Sequence, residues 1–387
     1  MIRTSIINLL TFFIYCLPGI LSGQPATFLE RFAHPIELTD TADYRDLQLL
    51  DTLLQDKRFV LLGEFTHGAR EINQVKNRLI RYLHAELGYG VLLLESGLGE
   101  VAVMNLEKEE RSPAELLRAG LTGPWRSAEY ADLLAYVQRS GLEIAGFDPQ
   151  RSGAALAPYL ENALLPVDSA LAARAGQAER TFGVLTGRMR KNEFSTLMMQ
   201  EKLDLVEDYE SLLQALERYD RRLEKAGTDR RQQALLHRTL QNRIAFLDYF
   251  LQFKMDTDYR KRWTARDSLL AANIIWLAAT VYPEEKFIVS AHNFHVAKAN
   301  AKERVMGELL SERFGDQLYS IGLFARRGQY ADNAGQSREM APAAGAQDVK
   351  SVIARLEATP AFLPIPAGRH SGDDWLHQPV IVNDSFL

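Results

Sequence analysis

The stretch RFVLLGEFTHGARE, residues 58–71, opens on an apolar run and closes on a cluster of ionisable side chains. A run such as Phe59–Leu62, with no polar alternation, predicts a strand buried on both faces, as in a parallel sheet covered by helices. The run ends at Gly63-Glu64, His67 follows three residues later, and Arg70 and Glu71 come close behind. In open α/β sheets, ligands bind beyond the carboxyl ends of the strands, so this strand end is a candidate wall of a site.

Four further apolar runs read the same way: 89–95, 142–148, 286–291 and 317–324. The second strand ends at Glu95, the third at Asp148, and the fourth at His292 with His295 three residues on. Asp148 alone, beside Pro149, would pass for a turn cap. Four strand ends carrying ionisable groups to one edge predict a shared site. Between the first two strands, Ile72, Val75, Leu79, Tyr82, Leu83 and Leu87 recur at helical spacing, with Gly88 placed to cap the end. Ser127 is placed to cap a second helix running to Arg139. Strand and helix alternating in this way predict an α/β fold with a mostly parallel sheet flanked by helices, an α+β arrangement being the alternative.

The alternation stops at about Ala155. From there to Tyr282 the chain is helix-forming throughout, with Ala226-Gly-Thr-Asp229 placed as the tip of a helical hairpin. We expect residues 155–282 to form a helical cap inserted beside the site. After Arg326 come a polar loop rich in glycine and alanine, a helix near residues 348–357 and a last apolar segment at 379–383.

The N-terminus has its own logic. Arg3 precedes a mostly apolar run from Ile6 to Leu17, followed by Pro18, Gly19, Ser22 and Gly23. That pattern predicts a secretory signal peptide over residues 1–23, leaving a domain of residues 24–387 secreted or periplasmic; an uncleaved anchor is the alternative. Cys16, the one cysteine of the 387 residues, falls inside the leader, so the exported domain would have no disulfide or thiolate chemistry. A net charge of −5 gives no footprint for nucleic acid, and basic clusters such as 218–225 alternate with acids as a solvated helix face does. No membrane contact is expected beyond the leader.

The chemistry is narrowed by what is missing. There is no Gly-x-Ser-x-Gly elbow and no phosphate-binding glycine loop followed by lysine. Gly97-Leu-Gly99 follows a strand, but Glu95 and Glu100 would oppose a pyrophosphate there. Histidines with carboxylates suit general-base activation of water, a carboxylate fixing the tautomer of the base. They equally suit a metal site of His and carboxylate ligands holding a water. A third reading is an exported binding protein without catalysis. Two more residues join this set: Arg266 and Asn273, seven apart on one helix face, with Asn273 set in apolar sequence and in need of polar partners.

Taken in order, these segments resemble the motifs of the erythromycin esterase family. They are Leu62-Gly-Glu64-Phe-Thr-His67-Gly68 with Glu71, Val91–Glu95, Gly146-Phe-Asp148, Arg266-Asp267 with Asn273, and Ala291-His292-Asn293-Phe-His295. The resemblance runs from about Leu47 to Phe324. It implies a metal-independent hydrolase that opens a macrolide lactone, hence antibiotic resistance, on a parallel sheet with a helical cap. By the same resemblance His67 is the general base, Glu64 and Glu95 orient or polarise the machinery, and His292 and His295 hold the carbonyl oxygen. Arg70 or Arg78 would supply the family's arginine near the first motif. The expected partner is a small ester or lactone, and no cofactor is expected, a divalent metal being the main alternative.

Overall fold

The computed structural model describes residues 32–38, 43–191, 195–254, 259–345, 348–354 and 360–365. The expected leader with Cys16, and the last apolar segment at 379–383, lie outside the described residues. Among the described residues no helix is long and apolar enough to cross a membrane.

Residues 37–342 carry the sheet and the candidate site. Five parallel strands form it: β1 (Phe59–Glu64), β2 (Val91–Gly97), β3 (Glu143–Asp148), β4 (Phe287–His292) and β5 (Leu318–Ile321). They stand in the order β3-β2-β4-β1-β5. Every residue of β1, β2 and β4 is buried, which is why these segments read as unbroken apolar runs. Alternate residues of the strands (Phe59, Leu61, Leu93, Phe147, Val289) share a core with Leu270, Ile274 and Leu310 from helices on one face. Their neighbours Val60, Leu62, Leu92, Ile144 and Ile288 are equally buried on the other face.

The first helix, α1 (Arg70–Ala85), carries the predicted stripe, and Gly88 just beyond it takes a left-handed φ of 70°. Next come α2 (Leu98–Leu106), α3 (Pro113–Gly120) and α4 (Ala128–Ser140), the last capped by Ser127 accepting from the Tyr130 N–H. The stretch expected to form a cap holds α5 (Leu156–Leu164), α6 (Ser169–Arg190), α7 (Thr196–Lys225), α8 (Arg230–Lys254) and α9 (Tyr259–Trp276). The predicted hairpin tip lies between α7 and α8, where Gly227 has a φ of 99°. Helices α5 to α8 build a core of their own around Leu160, Phe182, Tyr209, Leu216 and Leu240. The last helix departs from the expectation. Leu270, Ala271 and Ile274 of α9 pack on the sheet, so the cap layer ends before Tyr259. Apolar periodicity shows that a face is buried, not which layer buries it. After β4 come the single turn α10 (Asn293–Val296) and α11 (Met306–Phe314), which leads to β5.

Strand order and register then decide what meets at the edge. From β1 the chain crosses β4 to reach β2, whereas from β4 it crosses β1 to reach β5. Helices α1 and α11 therefore leave the adjacent strands β1 and β4 toward opposite sides, which opens a crevice at their carboxyl ends. The register sets Glu64 directly beside His292. Between β2 and β3 it shifts from Leu94 to Gly97, and the irregular piece contains Glu95 and Ser96.

Residues 343–345, 348–354 and 360–365 form, with His34–Ile36, part of a second unit holding a two-residue strand pair and a short helix, Val349–Ile353, inside the stretch expected to be helical.

Asn273 finds the partners its sequence setting demanded. Its Nδ2 donates to the Phe147 carbonyl at 2.9 Å, and its Oδ1 accepts from Arg238 Nε at 2.9 Å. It is fully buried and pins β3 one residue before Asp148. Asn273→Ala would orphan both partners, so we expect urea unfolding to show a loss of about 1–3 kcal/mol. A change within measurement error would mean that this tie does not hold the strand end.

Candidate active site

A cavity of about 470 Å³ lies over the carboxyl edge of the sheet, in the size range of small-molecule sites. His67, Glu95, Asp148, Arg266, His292 and His295 line it, so the structure brings six of the nine predicted site residues to its wall. Two circuits of buried charge organise them.

The first is centred on Glu64, which has no exposed surface. Its Oε1 faces His67 Nδ1 at 2.7 Å and accepts from Trp125 Nε1 at 3.1 Å, while Oε2 accepts from Lys76 Nζ at 2.6 Å. Burial would push this carboxyl up, but the Lys76 charge and the His67 bond overrule it and hold it at about 2. An ionised Glu64 can only accept. His67 Nδ1 therefore carries a proton and donates it to the carboxylate, which leaves Nε2 as the nitrogen that faces the cavity chemistry. The Trp125 ring lies 4.2 Å from the imidazole, centroid to centroid. The loop is fixed from behind as well: Ala331 N–H donates to the Gly68 carbonyl at 3.1 Å, an approach so close that a Cβ at Gly68 would lie 2.1 Å from the Ala331 oxygen.

The second circuit is centred on Glu95. Its Oε1 accepts from Arg266 Nη2 at 2.9 Å and lies 3.4 Å from His295 Nε2, and its Oε2 accepts from the His292 N–H at 2.9 Å. Arg266 Nη2 also donates to Asp148 Oδ2 at 2.5 Å. His295 Nδ1 donates to Asp267 Oδ1 at 2.9 Å, and the same oxygen accepts from Met306 N–H at 2.7 Å. Burial alone would push His295 down; Asp267 and then Glu95 reverse that and hold it at about 9. Arg266 Nη1 stands 3.0 Å from His295 Nε2, which runs against that charge, because a doubly protonated ring cannot accept from arginine. Two carboxylates face the ring against one guanidinium, so the charged form prevails and the arginine contact is a close approach. Glu95 itself is held well below the usual carboxylate range: burial opposes this, and the His295 and Arg266 charges overcome it.

His292 departs from its expected part. Its Nδ1 accepts from Phe294 N–H at 3.2 Å, so the ring proton is on Nε2, which donates to the Phe65 carbonyl at 2.9 Å. Burial pushes it down to about 4, and the ring stays neutral. To hold a substrate oxygen it would have to give up one of these backbone bonds. As built, it ties the loop after β1 to the loop after β4.

The arginines near the first motif are not at the cavity. The Arg70 side chain is 72% exposed and stands 3.7 Å from Glu129, since the first turn of α1 points it outward. Arg78 is buried elsewhere, bound twice to Asp46 at 2.5 and 2.7 Å and to the Asp43 carbonyl at 2.6 Å. Asn273 supports β3 from beneath. Sequence reasoning missed Lys76, Trp125, Arg151, Trp263 and Phe294, of which the last four line the cavity. Lys76 alone left a signal, a charge within the apolar stripe of α1.

Among the described residues no group of three or more His, Cys, Asp or Glu side chains is arranged to hold a metal ion. Both nitrogens of His292 bind backbone, and those of His295 face carboxylates.

The chain matches the model described as erythromycin esterase over residues 84–382. It is 29% identical to a putative hydrolase of Bacillus subtilis, YbfO, over 91% of this chain and 84% of that one. It is 24% identical to an erythromycin esterase type II of Escherichia coli, over 77% of this chain and 76% of that one. Its fold is similar to that of an erythromycin esterase mutant solved in its open conformation, with a TM-score of 0.63 and 17% identity over 85% of this chain and 88% of the other. The matched span takes in the strands that carry Glu95, Asp148 and His292 and the helix that carries Arg266, and on it this chain belongs to the erythromycin esterase family.

Proposed function

We propose that this protein hydrolyses a carboxylic ester or lactone, with water activated by His67. The observation that carries the reading is the Glu64–His67 pair, in which a fully buried, ionised carboxylate fixes the proton on Nδ1 of a ring in the cavity wall. Nε2 then takes a proton from water as the oxygen attacks the ester carbonyl, and Glu64 stabilises the imidazolium that forms. The developing oxyanion is received on the His295–Arg266 side, where two cations are held in place by carboxylates before any substrate arrives. Collapse of the tetrahedral intermediate breaks the C–O bond, and the departing alkoxide takes the proton from His67. In a lactone both products stay in one molecule. No step calls for a metal, and the N-terminal pattern supports work outside the cytoplasm.

His67→Ala should lower kcat by on the order of 10²–10⁴ toward any ester that the protein hydrolyses, the range for a general base. The screen covers macrolides and simple esters, with circular dichroism to show that the variant stays folded. A rate equal to that of the unaltered protein would remove His67 from the mechanism. Chelator in the same assay should leave turnover intact; its loss would favour a metal-dependent hydrolase on the same residues.

The pH profile offers an independent check. His295 is charged below about 9 and neutral above, so its help to the oxyanion is present at neutral pH and is lost as pH rises through that value. We expect kcat/KM to fall on an alkaline limb near pH 9, and that limb to be missing from His295→Gln. A limb at the same pH in the variant would assign it to another group.

A further inference from the structure

The cavity holds one cation that neither charge circuit uses. Arg266 is committed to Glu95 and Asp148. Arg151 also lines the cavity, partly buried, yet among the described residues it makes no hydrogen bond, ion pair or ring contact. An arginine in that state has a planar array of donors suited to a carboxylate and none of the described residues bound to it.

Its surroundings hold it there. The backbone of its loop is tied down on both sides. Before it, Gln150 N–H donates to Asp148 Oδ1 at 2.9 Å, and the Pro149 carbonyl accepts from Arg243 Nη1 of α8 at 3.1 Å. After it, Ser152 Oγ accepts from Gly97 N–H at 2.9 Å and donates to the Gly120 carbonyl at 2.6 Å. The amides of Ala154 and Ala155 both donate to the Ala119 carbonyl. The guanidinium rests against α6 of the cap at Gly183, where an added Cβ would lie 2.0 Å from Nη1. A glycine inside a helix of 22 residues weakens it relative to alanine, and here the space it leaves is taken by the arginine. A fixed loop below and a glycine seat above leave the head group preorganised, so little ordering remains to oppose binding.

We propose that Arg151 is an anion subsite, and that the ester cleaved here carries a carboxylate at a distance from its scissile bond. This rests on the hydrolase reading above. Trp125, Pro124, Trp263 and Phe294 supply apolar wall for the chain between the two ends. The carboxylate binds the guanidinium fork, and the ester carbonyl then lies against His67 and the Arg266–His295 pair.

The test uses 4-nitrophenyl hemiesters of straight-chain diacids, from succinic to sebacic, each compared with its terminal methyl ester after subtraction of the uncatalysed rate. The readout is the ratio of kcat/KM for the free acid to that for its methyl ester. We expect the protein to prefer the free acid for at least one chain length, and Arg151→Met to cut that preference by about 10- to 100-fold, as for a charge-assisted bond. Arg151→Lys should retain part of it. Gly183→Val, which keeps the arginine but fills its seat, should lose much of it. No preference at any length, or a preference that survives in Arg151→Met, overturns the proposal. A parallel titration follows quenching of tryptophan fluorescence by the corresponding monoanilide acids and their methyl esters. If no ester at all is turned over, the hydrolase reading fails, and this titration alone decides the subsite. Tighter binding of the acids that disappears in Arg151→Met upholds it, and equal binding overturns it.

Discussion

One buried carboxylate, Glu64, sets the terms for the rest of the site. A fully enclosed, ionised glutamate is unfavourable unless it is paired and hydrogen-bonded. Here Lys76, Trp125 and His67 together satisfy it. Each partner arrives from a different element: the buried stripe of α1, the turn at Gly123–Trp125, and the loop after β1. Removing Lys76 would leave the carboxylate to compete for the His67 proton in a low-dielectric setting. Removing Trp125 would take both a donor and the ring that walls the imidazole. The cluster is also a stability device. Because Glu64 is held near 2, its contribution is present above the ordinary carboxylate range and fades as pH falls toward 2.

The Glu95 circuit is built differently and suits a different task. Glu64 serves one imidazole, whereas Glu95 gathers an arginine, a histidine and a backbone amide. It is the joint at which β2, β4 and α9 agree on their positions. The parallel register beside it holds Glu64 against His292, so the His67 side and the His295–Arg266 side of the cavity are separated by fixed strand spacing rather than by flexible side chains. The helical layer α5 to α8 joins the same arrangement through Arg243, which binds Glu100 at 2.5 Å and Glu179 at 3.1 Å while donating to the Pro149 carbonyl. The loop that carries Asp148 and Arg151 is thereby tied to α2, α6 and α8.

Much of this was legible in the chain, and the part that was not has definite causes. Strands β1, β2 and β4 announced themselves because burial on both faces demands unbroken apolar runs. Their polar ends stood out for the same reason. The caps at Ser127 and Gly88 were legible because capping is local chemistry. The order β3-β2-β4-β1-β5 was not, since it depends on crossovers that no single segment encodes. Arg70 was misjudged because closeness in sequence to His67 says nothing about direction at a helix start. His292 lined up with His295 in spacing, yet one ring is neutral and bound to backbone and the other is charged between carboxylates. Those fates depend on Phe65, Phe294 and Asp267, which come from other elements or from the local turn. Trp125 and Arg151 sit on loops without periodicity, so only the folded chain brings them to the cavity.

The central claim is that Glu64 holds a proton on Nδ1 of His67 and so selects the tautomer of its neutral ring. Nitrogen NMR of the histidine side chains measures this directly, with His67→Ala used to assign the signals. The account predicts that the neutral His67 ring carries its proton on Nδ1, and that this tautomer preference is lost in Glu64→Gln. A neutral ring with its proton on Nε2 in the unaltered protein, or a preference unchanged in Glu64→Gln, would contradict it.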